Sequence, residues 1–259
     1  AAKRFIYRNG KLHQVRMPPG VFLSPLLSVG GRLRLCCEPL IPQKKGDSPE
    51  SIFEFASRRI GREAARIMVG AMVLGIYGGD AHQLSMAHCF PRMVRMEREY
   101  GGLFKALMAI RKNRKASPMG PPGTLTTYKG GIGALPMRAA TALGDTMRYN
   151  TSATDIRPIE GGYAVSLADG ETLSARAVVV ATPAHAAAGL VRGLHPPAAR
   201  ALADIPYAGL TVACLGYPRD AVRHDLDGFG FLVPRGQDLR LLGCIWTSTL
   251  FPFQAPRGS

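Results

Sequence analysis

The clearest periodicity in the chain runs through Ser48–Tyr100. Ile52, Phe53, Ala56 and Ile60 fall on one helical face, with Ser48 as N-cap and Pro49 in the first turn. Gly61 interrupts the pattern, and an apolar face resumes at Ala64, Ile67 and Met68. Ile67–Gly79 is an uncharged run of 13 residues that closes in a glycine-rich corner, Gly75-Ile76-Tyr77-Gly78-Gly79-Asp80. Asp80 and Gln83 have capping-box spacing and predict the start of the next helix. Glycine in such a corner lets a flat ligand or another backbone come close. Tight helix packing is the simpler explanation of the pattern taken alone.

Before that stretch, Arg4–Val15 alternates around Asn9-Gly10 and predicts a β-hairpin. Leu26–Leu40 reads as helical and Ile41–Asp47 as a polar loop. After it, Leu103, Phe104, Leu107 and Met108 form an amphipathic face followed by the basic run Arg111-Lys112-Asn113-Arg114-Lys115. Such a segment suits an anionic lipid surface, and equally a core helix with a solvated end. Ser117–Gly123 reads as a linker, Thr124–Tyr128 as a strand and Leu135–Leu143 as a helix. Met147–Pro158 predicts a strand with a polar turn. Tyr163–Leu167 and Thr172–Ala181 predict strands around Ala168-Asp169-Gly170, the second ending in the β-branched run Val178-Val179-Val180. Ala184–Val191 follows as a helix, then Leu210–Tyr217, Phe229–Val233 and Leu239–Thr247 as strands.

Composition narrows the function classes. The chain has 259 residues, 46% hydrophobic and 20% charged, enough for a sizeable core. The net charge of +15 is uneven: residues 1–118 hold 21 Lys+Arg against 8 Asp+Glu, and residues 119–259 hold 12 against 10. The basic part suits an anionic partner or a simply solvated surface. Five cysteines without CxxC spacing, and histidines without HExxH, argue against a disulfide framework and a metal site. The 13-residue uncharged run falls short of the roughly 20 residues a membrane-spanning helix needs. Both ends read as cuts, so a piece of a longer protein is expected. No nucleophile–base trio or paired-carboxylate site stands out. Gly130-Gly131-Ile132-Gly133 is not a dinucleotide fingerprint, and no complete GxGxxG occurs. If the chain is enzymatic, a cofactor carries the chemistry.

The order RFIY, ESIFEFASRRIG, GIYGGDAHQLSM, FPRMVRMEREYG, YKGGIGALP, VVVATPA, GFGFLVP and LGCIWTSTLFP resembles the flavin-dependent protoporphyrinogen oxidases of the flavin amine oxidase superfamily. The resemblance covers nearly the whole chain and departs at Gly78, where the family usually carries alanine. It implies an α+β or α/β fold. In it, a partial FAD-binding domain is interleaved with a mixed-sheet substrate domain and a helical membrane-binding domain. The implied division is substrate domain over 1–21, membrane-binding helices over 22–118, substrate domain again over 119–142, partial FAD domain over 143–188, and substrate sheet over 189–259.

The implied substrate residues are Arg4, facing a propionate at the pocket mouth; Met72 and Gly75, beside and over the ring; Phe229, Gly230 and Leu232, on the strand sandwiching the macrocycle; and Ile245, another wall. Ala153 would touch the adenine of FAD through its backbone, and no catalytic side chain is implied. The expected reaction is oxidation of protoporphyrinogen IX to protoporphyrin IX in haem biosynthesis, by hydride transfer to flavin N5 with oxygen as acceptor. This slice is not expected to be active or to hold FAD tightly alone. The expected partners are a tetrapyrrole, a membrane surface met peripherally and a second copy in a homodimer, with no nucleic acid. The expected location is the cytoplasmic side of a bacterial inner membrane. The alternatives are a coproporphyrinogen III oxidase of the same family, another flavin amine oxidase, or a non-enzymatic basic lipid-binding module.

Overall fold

The computed structural model describes residues 3–16, 20–46, 48–112 and 126–256, with side chains at 111 and 112 left aside. The chain forms two compact units: Ala1–Thr126 with Ala208–Ser259, and Thr127–Tyr207.

The first unit opens with β1 (Lys3–Arg8) and β2 (Lys11–Gln14), paired antiparallel. Asn9 and Gly10, at φ 51° and 76°, make the left-handed turn that matches strand twist. A 3₁₀ turn (Gly20–Leu23) leads to α1 (Val29–Cys36), capped by Ser28, whose Oγ accepts the Gly31 N–H at 3.0 Å. A second turn, Glu38–Leu40, precedes α2 (Ile52–Ile60).

Helix α2 begins at Ser51, not at Ser48 as the pattern predicts. Ser51 Oγ accepts from Glu54 N at 3.1 Å and the Glu54 carboxylate accepts from Ser51 N at 2.8 Å, a reciprocal capping box that outcompetes the earlier serine. Gly61 ends the helix at φ 91°. Then α3 (Arg62–Ala64) runs through a π turn (Ala65–Val69) into α4 (Gly70–Tyr77).

No helix starts at Asp80. Its Oδ1 accepts the His82 N–H at 2.9 Å, which makes a local turn instead. The next helices are α5 (Met86–Cys89), α6 (Pro91–Tyr100) and α7 (Leu103–Lys112). On α7, Ala106 is fully buried while Met108 is 63% exposed, so the face turned inward is rotated from the predicted one. Residues 113–115 of the basic run and the linker Ser117–Gly123 lie outside the described residues.

The second unit contains α8 (Ala134–Leu143) and an antiparallel sheet of β3 (Ala153–Ile159), β4 (Gly162–Leu167) and β5 (Thr172–Ala175), in that order. Two helices follow, α9 (Ala184–Leu190) and α10 (Pro196–Ala203). Its core is thin: Ile156, Ala164 and Leu167 of the sheet, with Ala184, Ala187, Ala188 and Leu190 of α9 and Ala199 of α10. The strand predicted over Thr172–Ala181 stops at Ala175, and Val179 is 91% exposed. Met147–Ser152 likewise stays outside β3, Thr126–Tyr128 forms no strand, and neither does Leu210–Tyr217, where Leu210, Val212 and Leu215 are exposed. A β-branched or alternating run becomes a strand only when a neighbour takes its ladder hydrogen bonds. No described strand pairs in a ladder with these segments.

The chain returns to the first unit at Ala208, ahead of Leu210–Tyr217, and there adds β6 (Gly228–Leu232), β7 (Gly243–Ile245) and α11 (Thr247–Leu250). β7 is shorter than the predicted Leu239–Thr247. The sheet runs β2-β1-β6-β7, with β1 and β6 parallel and the other pairs antiparallel, so it is mixed. Ile6 of β1 joins Leu26, Leu27, Leu35, Ala64 and Ile67 in one core, while Ile52, Phe55, Val73, Ala81 and Met86 form another.

Beside these cores lies a buried ionic network. Arg59 and Glu38 are both fully buried and paired to each other. Glu38 also accepts the N–H groups of Leu103 at 2.8 Å and Phe104 at 3.1 Å, which satisfies the start of α7. Arg59 donates to the Ile41 carbonyl at 2.8 Å and lies 3.4 Å from Glu97. Arg58 bridges Glu97 at 2.6 Å and Glu50 at 2.9 Å. Burial alone would push the Glu97 carboxyl up, but hydrogen bonds from Arg58 and the charges of Arg58 and Arg59 outweigh it. The carboxyl therefore sits below the ordinary 4.5.

Arg59→Ala leaves Glu38 buried and unpaired, and is expected to cost about 3–5 kcal/mol in chemical denaturation. Replacing Arg59 and Glu38 together by Met and Leu should cost less. Glu97 stabilises fully above its ordinary pKa of 4.5 and less as pH falls through its lower folded value. Stability should therefore fall more steeply with acid in the wild type than in Glu97→Gln, as read from denaturation midpoints across that range.

Candidate functional site

The register of the mixed sheet sorts the predicted substrate residues into two adjacent rows on one face. Arg4, Gly230 and Ile245 are cross-strand neighbours on β1, β6 and β7. Ile6, Leu232 and Gly243 form the next row, two residues along. The second row is covered, because Ile6 is 3% exposed in the core and Leu232 meets α4. The first row is bare only at its ends, Arg4 being exposed and Ile245 57% exposed, with Gly230 buried between them. The face is thus half roofed by helices and half open.

Gly230 lets β6 and β7 pack closely in the middle of this row. The register shifts between Lys3 and Arg4, and Gly230 takes φ 135° at that irregularity. A Cβ there would collide with the Cys244 carbonyl, so only glycine fits. The Arg4 guanidinium carbon lies 5.7 Å from the centre of the Phe229 ring, a cation–π distance. Arg4 has no carboxylate partner among the described residues, whereas its neighbour Lys3 is paired with Asp227 and holds that carboxyl below its usual range. A cation held over an aromatic ring can bind a carboxylate carried on a flat ligand.

Gly75 lies at the roof's edge rather than across a gap. A Cβ on Gly75 would stand 2.5 Å from Leu232 Cδ2, so the Leu232 side chain already fills the space the missing side chain leaves. Gly75 and Leu232 therefore form one continuous surface with no ring-sized gap between them. Met72, one turn earlier, packs half-buried against the cluster of Ile52 and Phe55. Ala153 belongs to the second unit, where it opens β3 with its side chain exposed.

Two features escape sequence reasoning. Asp80 meets Arg235 at 3.2 Å, tying the glycine corner to the segment after β6 across 155 residues of chain. On the sheet's other face, Phe5 and His224 pack on Trp246 with centroids 5.5 and 4.7 Å away, which buries Trp246. Alternation places Trp246 opposite Ile245, a usable signal, but nothing local links Asp80 to Arg235. Among the described residues no acid–base pair faces the bare row, and burial pushes the Cys244 thiol up, the reverse of an activated nucleophile. No group of residues suited to a metal occurs among the described residues.

The model of the family described as flavin-containing amine oxidoreductases matches residues 1–259. Membership in it implies FAD as the redox group. The second unit does not by itself make a pyrophosphate cradle: its sheet is antiparallel, and such a cradle needs a parallel strand running through a glycine turn into a helix. The chain is 32% identical over 99% of its length to chloroplastic protoporphyrinogen oxidase 1 of Arabidopsis thaliana, covering 52% of that protein. It is 28% identical over 98% of its length to coproporphyrinogen III oxidase of Bacillus subtilis, covering 56% of that protein. The chain thus spans about half the length of these relatives. Two crystal structures share the fold. A provisionally named protoporphyrinogen oxidase from Exiguobacterium sp. has TM-score 0.74 and 20% identity, over 98% of this chain and 56% of that one. Reduced UDP-galactopyranose mutase has TM-score 0.58 and 15% identity, over 99% and 55%.

If Leu232 is seated on Gly75, Gly75→Ala should cost about 1–3 kcal/mol. In a Leu232→Ala background the same change should cost little, and a thermal-unfolding double-mutant cycle reads the coupling directly.

Proposed function

The chain belongs to the flavin-containing amine oxidoreductase family, and from that membership we propose that it forms the central part of an FAD-dependent porphyrinogen oxidase. The proposed substrate is protoporphyrinogen IX, oxidised to protoporphyrin IX in haem biosynthesis with oxygen as acceptor. The observation that carries this reading is the pair of bare ends of the row: the exposed Ile245 and, over Phe229, an Arg4 with no carboxylate partner among the described residues. FAD, when bound, supplies the oxidation by accepting hydride. The chain's own part is to orient. Arg4 holds a propionate, and Phe229 and Ile245 keep water from the face of the macrocycle. No side chain of the row acts as a base.

Because the row is open on one side, a second wall must come from other parts of the protein, in keeping with a chain that spans half of its relatives. The five-part division, from substrate domain at 1–21 through membrane-binding helices at 22–118 to the substrate sheet at 189–259, belongs to this proposal. So does a homodimer. No helix among the described residues is long and apolar enough to cross a membrane. With the strongly basic first half, this supports peripheral association with the cytoplasmic face of a bacterial inner membrane.

Coproporphyrinogen III is the second reading, supported by the Bacillus relative. That substrate carries more carboxylates, while the bare row offers a single cation in Arg4. The ratio of kcat/KM on the two substrates in the full-length enzyme discriminates them. Arg4→Ala in that enzyme should raise KM roughly 10- to 100-fold, the worth of a charge-assisted hydrogen bond, with a much smaller fall in kcat. An unchanged KM would remove Arg4 from the site.

A further inference from the structure

Two adjoining clefts of about 340 and 250 Å³ open along β2. His13 and Pro25 line both, so the clefts form a single trough. Its lining contains Arg8, Lys11, His13 and Arg16 and no carboxylate. Arg8 is already engaged: it donates to the Leu26 carbonyl and lies 3.5 Å from Glu63. Glu63 also accepts from Ser28 N at 3.0 Å and from Ser28 Oγ at 2.5 Å, so the start of α1 is satisfied from within the protein. Lys11 and Arg16 differ. Each is exposed, and neither has an ion-pair partner among the described residues. Lys11 lines one cleft and Arg16 the other, with His13 between them. The Arg16 stem runs along Gly20, where a Cβ would stand 3.1 Å from Arg16 Cβ.

The trough has an apolar rim. Leu23, 80% exposed, lines the second cleft on the turn that packs against α1. Val29 follows Ser28 of the first cleft and is 65% exposed, and Leu33, one turn along the same helix face, is 64% exposed. A soluble anion would use the two cations and leave these side chains in water. An anionic lipid uses both, because its phosphate meets the cations while the apolar side chains enter the boundary of its tails.

We infer that the trough, with Lys11 lining one cleft and Arg16 and Leu23 the other, and with the exposed Val29 and Leu33 on the helix that begins after Ser28, is a docking site for the phosphate headgroup of an anionic phospholipid. The inference rests on the peripheral-membrane reading above. It assigns the contact to the hairpin side of the first unit rather than to the basic run after α7.

The test uses the intact, flavin-loaded protein and vesicles of phosphatidylcholine with or without phosphatidylglycerol. Wild type should sediment with the anionic vesicles. Lys11→Ala with Arg16→Ala should lower the partition coefficient roughly 25-fold, about fivefold per charge. Leu23→Ser with Leu33→Ser should also weaken it. Arg157→Ala with Arg176→Ala removes equal charge from exposed positions of the second unit and should change binding less than about twofold. Unchanged circular dichroism and flavin absorbance establish that each variant is folded. If wild type binds and the trough variant binds equally well, the site is overturned and the membrane reading stands. An equal loss in the second-unit control overturns the site in favour of diffuse attraction. Inorganic phosphate binding that depends on Lys11 and Arg16, without vesicle binding, overturns the lipid assignment. No binding of wild type to anionic vesicles overturns both readings.

Discussion

Arg59 and Glu38 are both removed entirely from water, and such a pair is tolerated only when every remaining donor and acceptor is met. Here that condition recruits four parts of the chain. Glu38 holds the first N–H groups of α7, Arg59 takes the carbonyl of Ile41, and Glu97 of α6 closes the network through Arg58 and Arg59. Gly102 has no side chain because Arg59 and Glu38 occupy that space. The apolar clusters could tolerate some sliding of one helix over another. The ionic network cannot, since a shift would leave a buried charge unmatched.

That rigidity has a use at the sheet. Helix α3, which follows the helix carrying Arg58 and Arg59 after the break at Gly61, runs through the π turn into α4, and α4 delivers Gly75 onto Leu232. How far the helical roof extends over the sheet decides which cross-strand row is covered. The row of Ile6 and Leu232 lies under it, and the row of Arg4 and Ile245 lies beyond it. The ring of Phe229 positions the Arg4 charge at the end of that row. The chemistry proposed for this surface follows from where the roof stops.

The same face logic explains the second unit. Its sheet and helices bury mostly alanine, so little apolar area stands behind it, and Val179, Ile132 and Met137 remain exposed. The segments that read as strands from composition but form none, Val178–Ala181 and Leu210–Tyr217, share one feature. Each has the side chains of a strand and no described neighbour to pair with. A helix makes its hydrogen bonds within its own segment, whereas a strand depends on another segment.

Local chemistry made much of the architecture legible. Asn9-Gly10 specifies the hairpin, the apolar period of Ile52–Ile60 specifies α2, and Asp169-Gly170 specifies the β4–β5 turn, because each is a property of a few consecutive residues. The order of motifs along the chain carried the family. The sequence did not determine which of two serines caps α2, which face of α7 turns inward, or that Asp80 makes a local turn and then meets Arg235. Nor did it show that Gly75 is filled by Leu232 while Arg4 lies over the Phe229 ring. Those outcomes depend on partners a hundred or more residues away, or on competition between nearby groups. Only the tertiary structure brings such groups into contact.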